Sequence, residues 1–440
     1  MPEIRAFRAL RYNPDMLPDL ARVIAPPYDV ISPGLRMELA ARDPRNVVAI
    51  ELPVDAGTAD PDEKYRQAAR TFAGWRADGT LRKDRQPSLY VYEQDYTVPG
   101  SSLRRVQRGF YGRLRLEAFG PRAGVLPHER TMAGPKEDRH KLMRATGANF
   151  SAVMVLYDDA TGVAHRLLAE TTETAAVADV CDDDGVRHRL WVVPDEGPTA
   201  PLVAGLRDAA GREPVIIADG HHRYETALRY RDERRMTRSC EEDPPFDFLL
   251  ALFMDAAAEP LLVLPTHRVA RAVSAAEGLV DAAVSSGLFD AVPADRAALL
   301  ATFGPGAQAP GGRGWIGLWT RGGGAVLTAR HESFAPLLPH GGEAVRRLDV
   351  SLLSVALERL CAIDRAATTT GGRVGYTKDA GEAIEWVDER VDAADAAFLL
   401  EATPVADITA VARDGDVMPQ KSTYFFPKPV TGFVLNPFEW

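Results

Sequence analysis

The chain has little cysteine: only Cys181, Cys240 and Cys361 among 440 residues. Three scattered thiols form neither a disulfide framework nor a thiolate metal site, so a reducing, cytoplasmic compartment is expected. A basic surplus is also missing. Asp and Glu outnumber Lys and Arg by 62 to 52, for a formal charge of −10 and a pI near 5.5. Dedicated nucleic-acid binders carry a basic face, so no nucleic acid is expected as a partner, while a local basic pocket stays open. No stretch approaches the ~20 apolar residues that cross a bilayer. The opening MPEIRAFRALRYNP has no apolar signal core, and no membrane association is expected. Common catalytic signatures are absent as well. There is no complete GxxxxGKS/T, no GxSxG, no HExxH, and no GxGxxG with an acidic residue at the proper distance. These absences exclude the P-loop kinase, the commonest hydrolase, the zincin and the dinucleotide readings. Gly311-Gly312 and Gly341-Gly342 read as loop punctuation, because no phosphate-loop spacing surrounds them.

What is present is a hydrophobic content of 46%, enough for two or three domains with substantial cores. Residues 35–41 read as a short helix and 62–78 as a longer one, with Tyr65, Ala68, Ala69, Phe72 and Trp75 on one face. From Ser88 the period becomes two. SLYVYEQDYTV and RRVQRGFYGRLRLEAF flank Pro99-Gly100-Ser101-Ser102, an antiparallel hairpin. A helix is expected near 136–146 and a strand over 151–157. A pair of strands, 246–255 and 261–269, is expected around a turn at Glu259-Pro260. Further on come helices near 274–286 and 349–360, a hairpin over 315–330 split by Gly322-Gly323-Gly324, and a strand at 396–400. The tail beyond Asp416 is both polar and aromatic, and it should pack back onto the body. The expected class is α+β, a mixed α/β chain. Its expected parts are an N-terminal α/β segment (1–86), a central unit (87–270) and a C-terminal α/β domain (271–440).

Residues 215–230, VIIADGHHRYETALRY, change hydrophobic period around a polar knot. Val215 to Ala218 have the length of a buried strand, and Tyr224, Ala227 and Leu228 recur at helical spacing. A strand turning sharply into a helix there aims backbone N–H groups and the positive dipole end at one point, which favours an anion such as phosphate. Gly220 would allow close approach, Arg223 could fork onto phosphate oxygens, and Asp219 could hold a metal ion or accept a proton. A plain alternative has Asp219 capping the helix and the histidines at the surface. Adjacent histidines also suggest a metal, although chelating pairs usually stand three or four apart on a helix, or two apart on a strand.

A second group, LPHERT at 126–131 and GPKEDR at 134–139, offers His128, Glu129, Lys136, Asp138 and Arg139. It contains a potential general base and several phosphate ligands, or simply a helix start with Pro135 in the first turn. In APPYDVI at 25–31, Asp29 could bind a ligand or fix a turn. Gln420-Lys421-Ser422-Thr423 echoes the end of a phosphate loop without its glycines.

Together PPYDVIS (26–32), LPHERTMAGPKEDRHKLMRAT (126–146), ADGHHRYETAL (218–228) and MPQKSTYFFPK (418–428) resemble the bacterial and archaeal family called domain of unknown function 1015. The DGHHR at 219–223 is also similar to the signature of the ParB/sulfiredoxin superfamily, in particular its free serine kinases. That resemblance implies a ParB/sulfiredoxin-like central core, nucleotide phosphates at the 219–223 turn, and Glu129 as the base that activates a serine hydroxyl. It further implies a phosphotransferase using Mg²⁺ and ATP or ADP to phosphorylate free serine or a similar small hydroxy amino acid, or running the reverse dephosphorylation. Asp219 and His222 would join Glu129 in catalysis, with Asp219 on the metal. Gly220, His221, His222, Arg223, Lys136, Arg139 and Lys421 would hold the nucleotide; Asp29, His128 and Thr131 would face the substrate. Two other readings stay open: a non-catalytic ParB-like nucleotide-binding module, and a metal-dependent hydrolase built on His128, His221 and His222.

Overall fold

A computed structural model describes residues 1–439 other than 56, 130, 132, 238–241, 259, 260, 306, 308–312 and 371. Cys240, the Glu259-Pro260 turn and Gly311-Gly312 therefore lie outside the described residues. The chain is mixed α/β, as its periodicities predict.

The period-two stretch forms the expected hairpin. Strands Ser88–Thr97 and Arg104–Arg115 pair antiparallel with Tyr90 opposite Tyr111. Alternation sends Leu89 and Val91 into one core and Tyr90 and Tyr92 into another, so both faces of this sheet are covered. The hairpin sits inside a nine-stranded sheet that is mixed in direction. Strand Val215–Asp219 runs parallel to Val125–Leu126 and antiparallel to Val153–Tyr157. Phe248–Asp255 joins Val153–Tyr157 to the hairpin. Ile4–Arg5 also pairs with the hairpin, through Ile4 opposite Leu114, so the first segment contributes to the central sheet. Helix Glu63–Ala77 buries Tyr65, Ala68, Phe72 and Trp75, and Phe72 meets Phe150 edge-on at 5.0 Å.

The second half holds a six-stranded antiparallel sheet: Phe289–Ala294, Gly323–Ala329, Trp315–Thr320, Ala394–Leu399, His267–Arg271 and Val374–Thr377 in spatial order. One expectation changes here. The stretch 261–269 does not pair with 246–255. It divides into Leu262–Leu264, which pairs with Tyr424–Phe426, and His267–Arg271, which enters the second sheet. Apolar pattern announces a strand but not its partner, because any neighbour with a matching face satisfies it.

The tail does pack back. Beyond Tyr424–Phe426 it makes bridges at Thr431 to Ala25 and Leu435 to Leu10, then pairs Asn436–Pro437 with Ala148–Asn149. The buried Arg113 fixes its end, donating to Asn436 Oδ1 at 2.8 Å and to the carbonyls of Pro437 and Glu439 at 2.8 and 2.9 Å. Phe425, Phe433, Val434 and Leu435 are buried along the way. At roughly 1.5–3 kcal/mol for each large apolar side chain, this docking outweighs fraying.

Candidate active site

The site grows from the end of strand Val215–Asp219. Its pairing register slips between Ile217 and Asp219, leaving Ala218 as a bulge that re-aims the strand's last carboxylate. Gly220 follows at φ +93°, and a Cβ there would stand 2.9 Å from Arg223 Nε. Both the left-handed backbone and the folded-back guanidinium therefore demand glycine. Helix His221–Thr237 begins at once, with Tyr224 N–H bonded to Gly220 O at 3.0 Å. Its positive dipole end is aimed at the cleft.

Arg223 turns inward instead of reaching for a ligand: it donates to Asp219 Oδ2 and to Ala152 O. Lys428, from the tail, takes Asp219 Oδ1. The side chains of this triad are only 8–12% exposed. Burial by itself would raise the Asp219 carboxyl; Lys428 and Arg223 outweigh it and hold the group well below the usual carboxylate range. With both oxygens taken by cations, Asp219 does not fit the metal-ligand role expected from the sequence.

His128 and His221 stitch the site together. His128 N–H donates to His221 Nε2 at 3.2 Å, and the rings meet edge-to-face at 4.5 Å. His128 Nδ1 bonds Ile217 O, and its Nε2 lies 3.1 Å from Thr423 Oγ1. Burial lowers His128 to about 4 and His221 well below its ordinary value, so both rings are neutral at pH 7. These commitments leave the three-histidine metal centre unassembled, and no group of three His, Cys, Asp or Glu able to hold a metal ion occurs among the described residues. His222 lines the cleft half-buried, its pKa lowered chiefly by burial.

Glu129 faces the turn from the opposite wall. The chain around it pairs with Met418, and Glu129 Oε1 accepts the Lys421 N–H at 3.1 Å. Burial pushes its carboxyl up to about 7, more than the neighbouring lysines lower it. Lys421 supplies that N–H from a left-handed backbone, φ +54°, a conformation that costs any residue with a Cβ.

Between these walls lies a cleft of about 350 Å³, which also takes in Tyr28, Asp29, Tyr376 from the second sheet, Lys378 just after that strand and Trp386 from helix Ala380–Asp388. Lys378 Nζ and Lys428 Nζ sit 4.3 and 4.6 Å from the centre of the Tyr424 ring. Lys378 and Lys421 make no ion pair among the described residues. The structure thus gathers Asp29, Glu129, Asp219, Gly220, His221, His222, Arg223 and Lys421 around one space. Four sequence candidates do not line it, His128 among them, held instead by His221, Ile217 and Thr423. Lys136 pairs with Glu225 at 2.7 Å, and Thr131 Oγ1 donates to the same carboxylate at 2.8 Å. Arg139 is buried against Glu51 and Asp138, with its guanidinium 4.2 Å from the Tyr28 ring centre, bracing the cleft wall from behind. Lys428, Lys378, Tyr424 and Trp386 were not singled out. Lys428 stood inside MPQKSTYFFPK, while Lys378 and Trp386 lie in a stretch without a distinctive motif.

A family model described as Protein of unknown function (DUF1015) matches residues 4–351. The chain belongs to this family. Lys378, Lys421 and Lys428 lie beyond the matched span of DUF1015. No curated protein matches the chain. Similar solved structures include a conserved hypothetical protein from Pyrococcus furiosus, at 12% identity and TM-score 0.33 over 69% of this chain and 90% of that one. They also include a free serine kinase variant in complex with ADP, at 11% and 0.35 over 75% and 90%, and C-terminally truncated SbnI from Staphylococcus aureus, at 9% and 0.36 over 71% and 83%. Scores of this size carry no inference about reaction, so the chemistry is read from this chain's own residues. Among the described residues no helix is long and apolar enough to cross a membrane.

Proposed function

We propose that this DUF1015 protein is a phosphotransferase that moves a phosphoryl group from ATP or ADP to the hydroxyl of free serine or a similar small hydroxy amino acid. One observation carries the reading: Glu129 shares a cleft with the opening turn of helix His221–Thr237 and with Lys378, Lys421 and Lys428. Phosphoryl transfer asks mainly for charge neutralisation around the moving group and for a positioned hydroxyl. Backbone at the 220–223 turn and the three ammonium groups supply the first. Glu129 supplies the second: its carboxylate takes the hydroxyl proton as the oxygen attacks phosphorus and the donor's leaving oxygen departs. A carboxyl near pH 7 is well matched to that task, since it is a stronger base than an ordinary glutamate and still ionises at neutral pH.

Asp219 fixes Lys428 and Arg223 in place, so its contribution is orientation of the cationic wall. Asp29 at the rim is suited to an amino group of the acceptor. Run backward, the same groups would dephosphorylate phosphoserine. Mg²⁺ would supply further neutralisation between donor phosphates, bound to the nucleotide and not to Asp219. The similarity of DGHHR to the ParB/sulfiredoxin signature supports reading 87–270 as a core of that type, flanked by 1–86 and 271–440.

Incubation with Mg²⁺, ATP or ADP and a panel of hydroxy amino acids should give a product 80 Da heavier than its acceptor by mass spectrometry. Nucleotide binding without product from any acceptor would favour the non-catalytic module instead.

A further inference from the structure

A second hollow, about 250 Å³, opens beside the cleft and shares Val30, Lys378, Tyr424 and Lys428 with it. We propose that this hollow holds the nucleoside of the phosphoryl donor, so that the donor lies across Lys378 and Lys428 with its phosphates in the first space and its base in the second. The proposal rests on the phosphotransfer reading and adds to it the place of the base.

Three observations support it. The first space already contains the helix opening turn, Lys421, Glu129 and Asp29, the groups that a phosphate chain and a small acceptor would use. The second space is walled by Ile24, Leu35, Leu39, Phe426 and Val430, apolar surfaces suited to a flat heteroaromatic ring. Its rim carries Asp182, whose carboxylate is held rigidly: Oδ2 lies 2.9 Å from His188 Nε2, and Oδ1 accepts the Val186 N–H at 2.9 Å. His188 is itself fixed, with Nδ1 2.6 Å from Tyr92 Oη. An immobile carboxylate beside an apolar slot is the arrangement that accepts ribose hydroxyls in nucleotide sites. The two spaces together fall within the roughly 300–1,000 Å³ usual for small-molecule sites.

The test separates this proposal from its parent. Binding of ADP and of inorganic tripolyphosphate, which has no nucleoside, is measured by calorimetry on the full chain and on Leu35→Trp. Leu35 is half-exposed on helix Pro33–Arg42, where a larger ring fills the hollow without entering the core. The expected result is a loss of ADP affinity of about tenfold or more, with tripolyphosphate affinity within twofold of wild type. Equal affinities of the wild type for ADP and tripolyphosphate, or an unchanged ADP affinity in a folded Leu35→Trp, would overturn the nucleoside site and leave the phosphate cleft standing. Binding of neither ligand overturns both. Photolabelling with 8-azido-ATP gives a second readout that needs no variant. Label in residues 21–26, 35–42 or 181–186, which line only the second hollow, supports the proposal, and label confined to 382–386 overturns it by placing the base against Trp386.

Discussion

The two walls of the cleft are built on opposite principles. On the wall formed by strand Val215–Asp219 and the start of helix His221–Thr237, the charges are buried and paired, Asp219 with Arg223 and Lys428, and the neutral His221 is held by the His128 amide. On the facing wall, Glu129 is a carboxyl pushed up by burial, and Lys421 and Lys378 carry no ion pair among the described residues. The contrast teaches that a string of functional residue types divides into a frame and a working face. Paired buried charges hold shape, because separating them would strand a charge in low dielectric. Groups whose charge is poorly compensated by protein are those left to be compensated by a ligand.

Breaking the working face should have the largest effect on turnover. Glu129→Gln keeps the acceptor for the Lys421 N–H but removes the base; phosphotransfer should fall by about 10²–10⁴-fold, with ADP affinity by calorimetry nearly unchanged. Full activity in that variant would remove Glu129 from the mechanism. Breaking the frame should act on folding. Asp219→Ala leaves Arg223 and Lys428 buried without their carboxylate, and chemical denaturation should report a loss of about 3–5 kcal/mol. Stability close to wild type would show that the triad is not the frame.

A smaller effect comes from pH. Glu129 must lose its proton to act, so turnover should fall about tenfold per unit as pH drops below about 7. Stability moves the other way. Because the folded-state value lies above the ordinary 4.5, the folded chain keeps a proton that the unfolded chain has released. The contribution of Glu129 to stability is therefore full below about 4.5 and is lost as pH rises through about 7. Thermal melts of wild type against Glu129→Gln across this window should show the wild type losing ground as pH rises; parallel curves would contradict the raised value. The smallest effect belongs to Lys421→Gly. Relief of the left-handed backbone, less the chain entropy of glycine, should stabilise by about 0.5–1 kcal/mol while weakening tripolyphosphate binding. A variant both less stable and equally avid would show that Lys421 is not strained for binding.

Much of this was legible in the sequence where the pattern is local. The hairpin at 88–115, the helix at 63–77 and the strand-turn-helix at 215–237 each repeat one period over enough residues to name themselves. Partners were less legible. Nothing in 261–269 says that its two halves serve different sheets, and the strands Ala178–Cys181 and Arg187–Pro194 drew no expectation although Asp182, between them, lines the second hollow and is held by His188. Among site residues, motif reading found the turn and Glu129 but credited Lys136, Arg139 and Thr131 with ligands. Lys136 and Thr131 turn instead to Glu225, and Arg139 to Glu51 as well as to its neighbour Asp138; Glu225 and Glu51 are brought there by tertiary packing from far along the chain. Lys428 was passed over for the converse reason: its partner Asp219 is 209 residues away.

The docked tail has a consequence for the order of events during synthesis. Residues 418–428 supply Lys421, Lys428 and Met418, whose backbone bridges to Glu129. A ribosome reaches them only after both sheets have been made. Until then Glu129 lacks the Lys421 N–H and Asp219 lacks one of its two cations. The cleft therefore takes its full form only once residues 418–428 are in place, late in the order in which the chain is made.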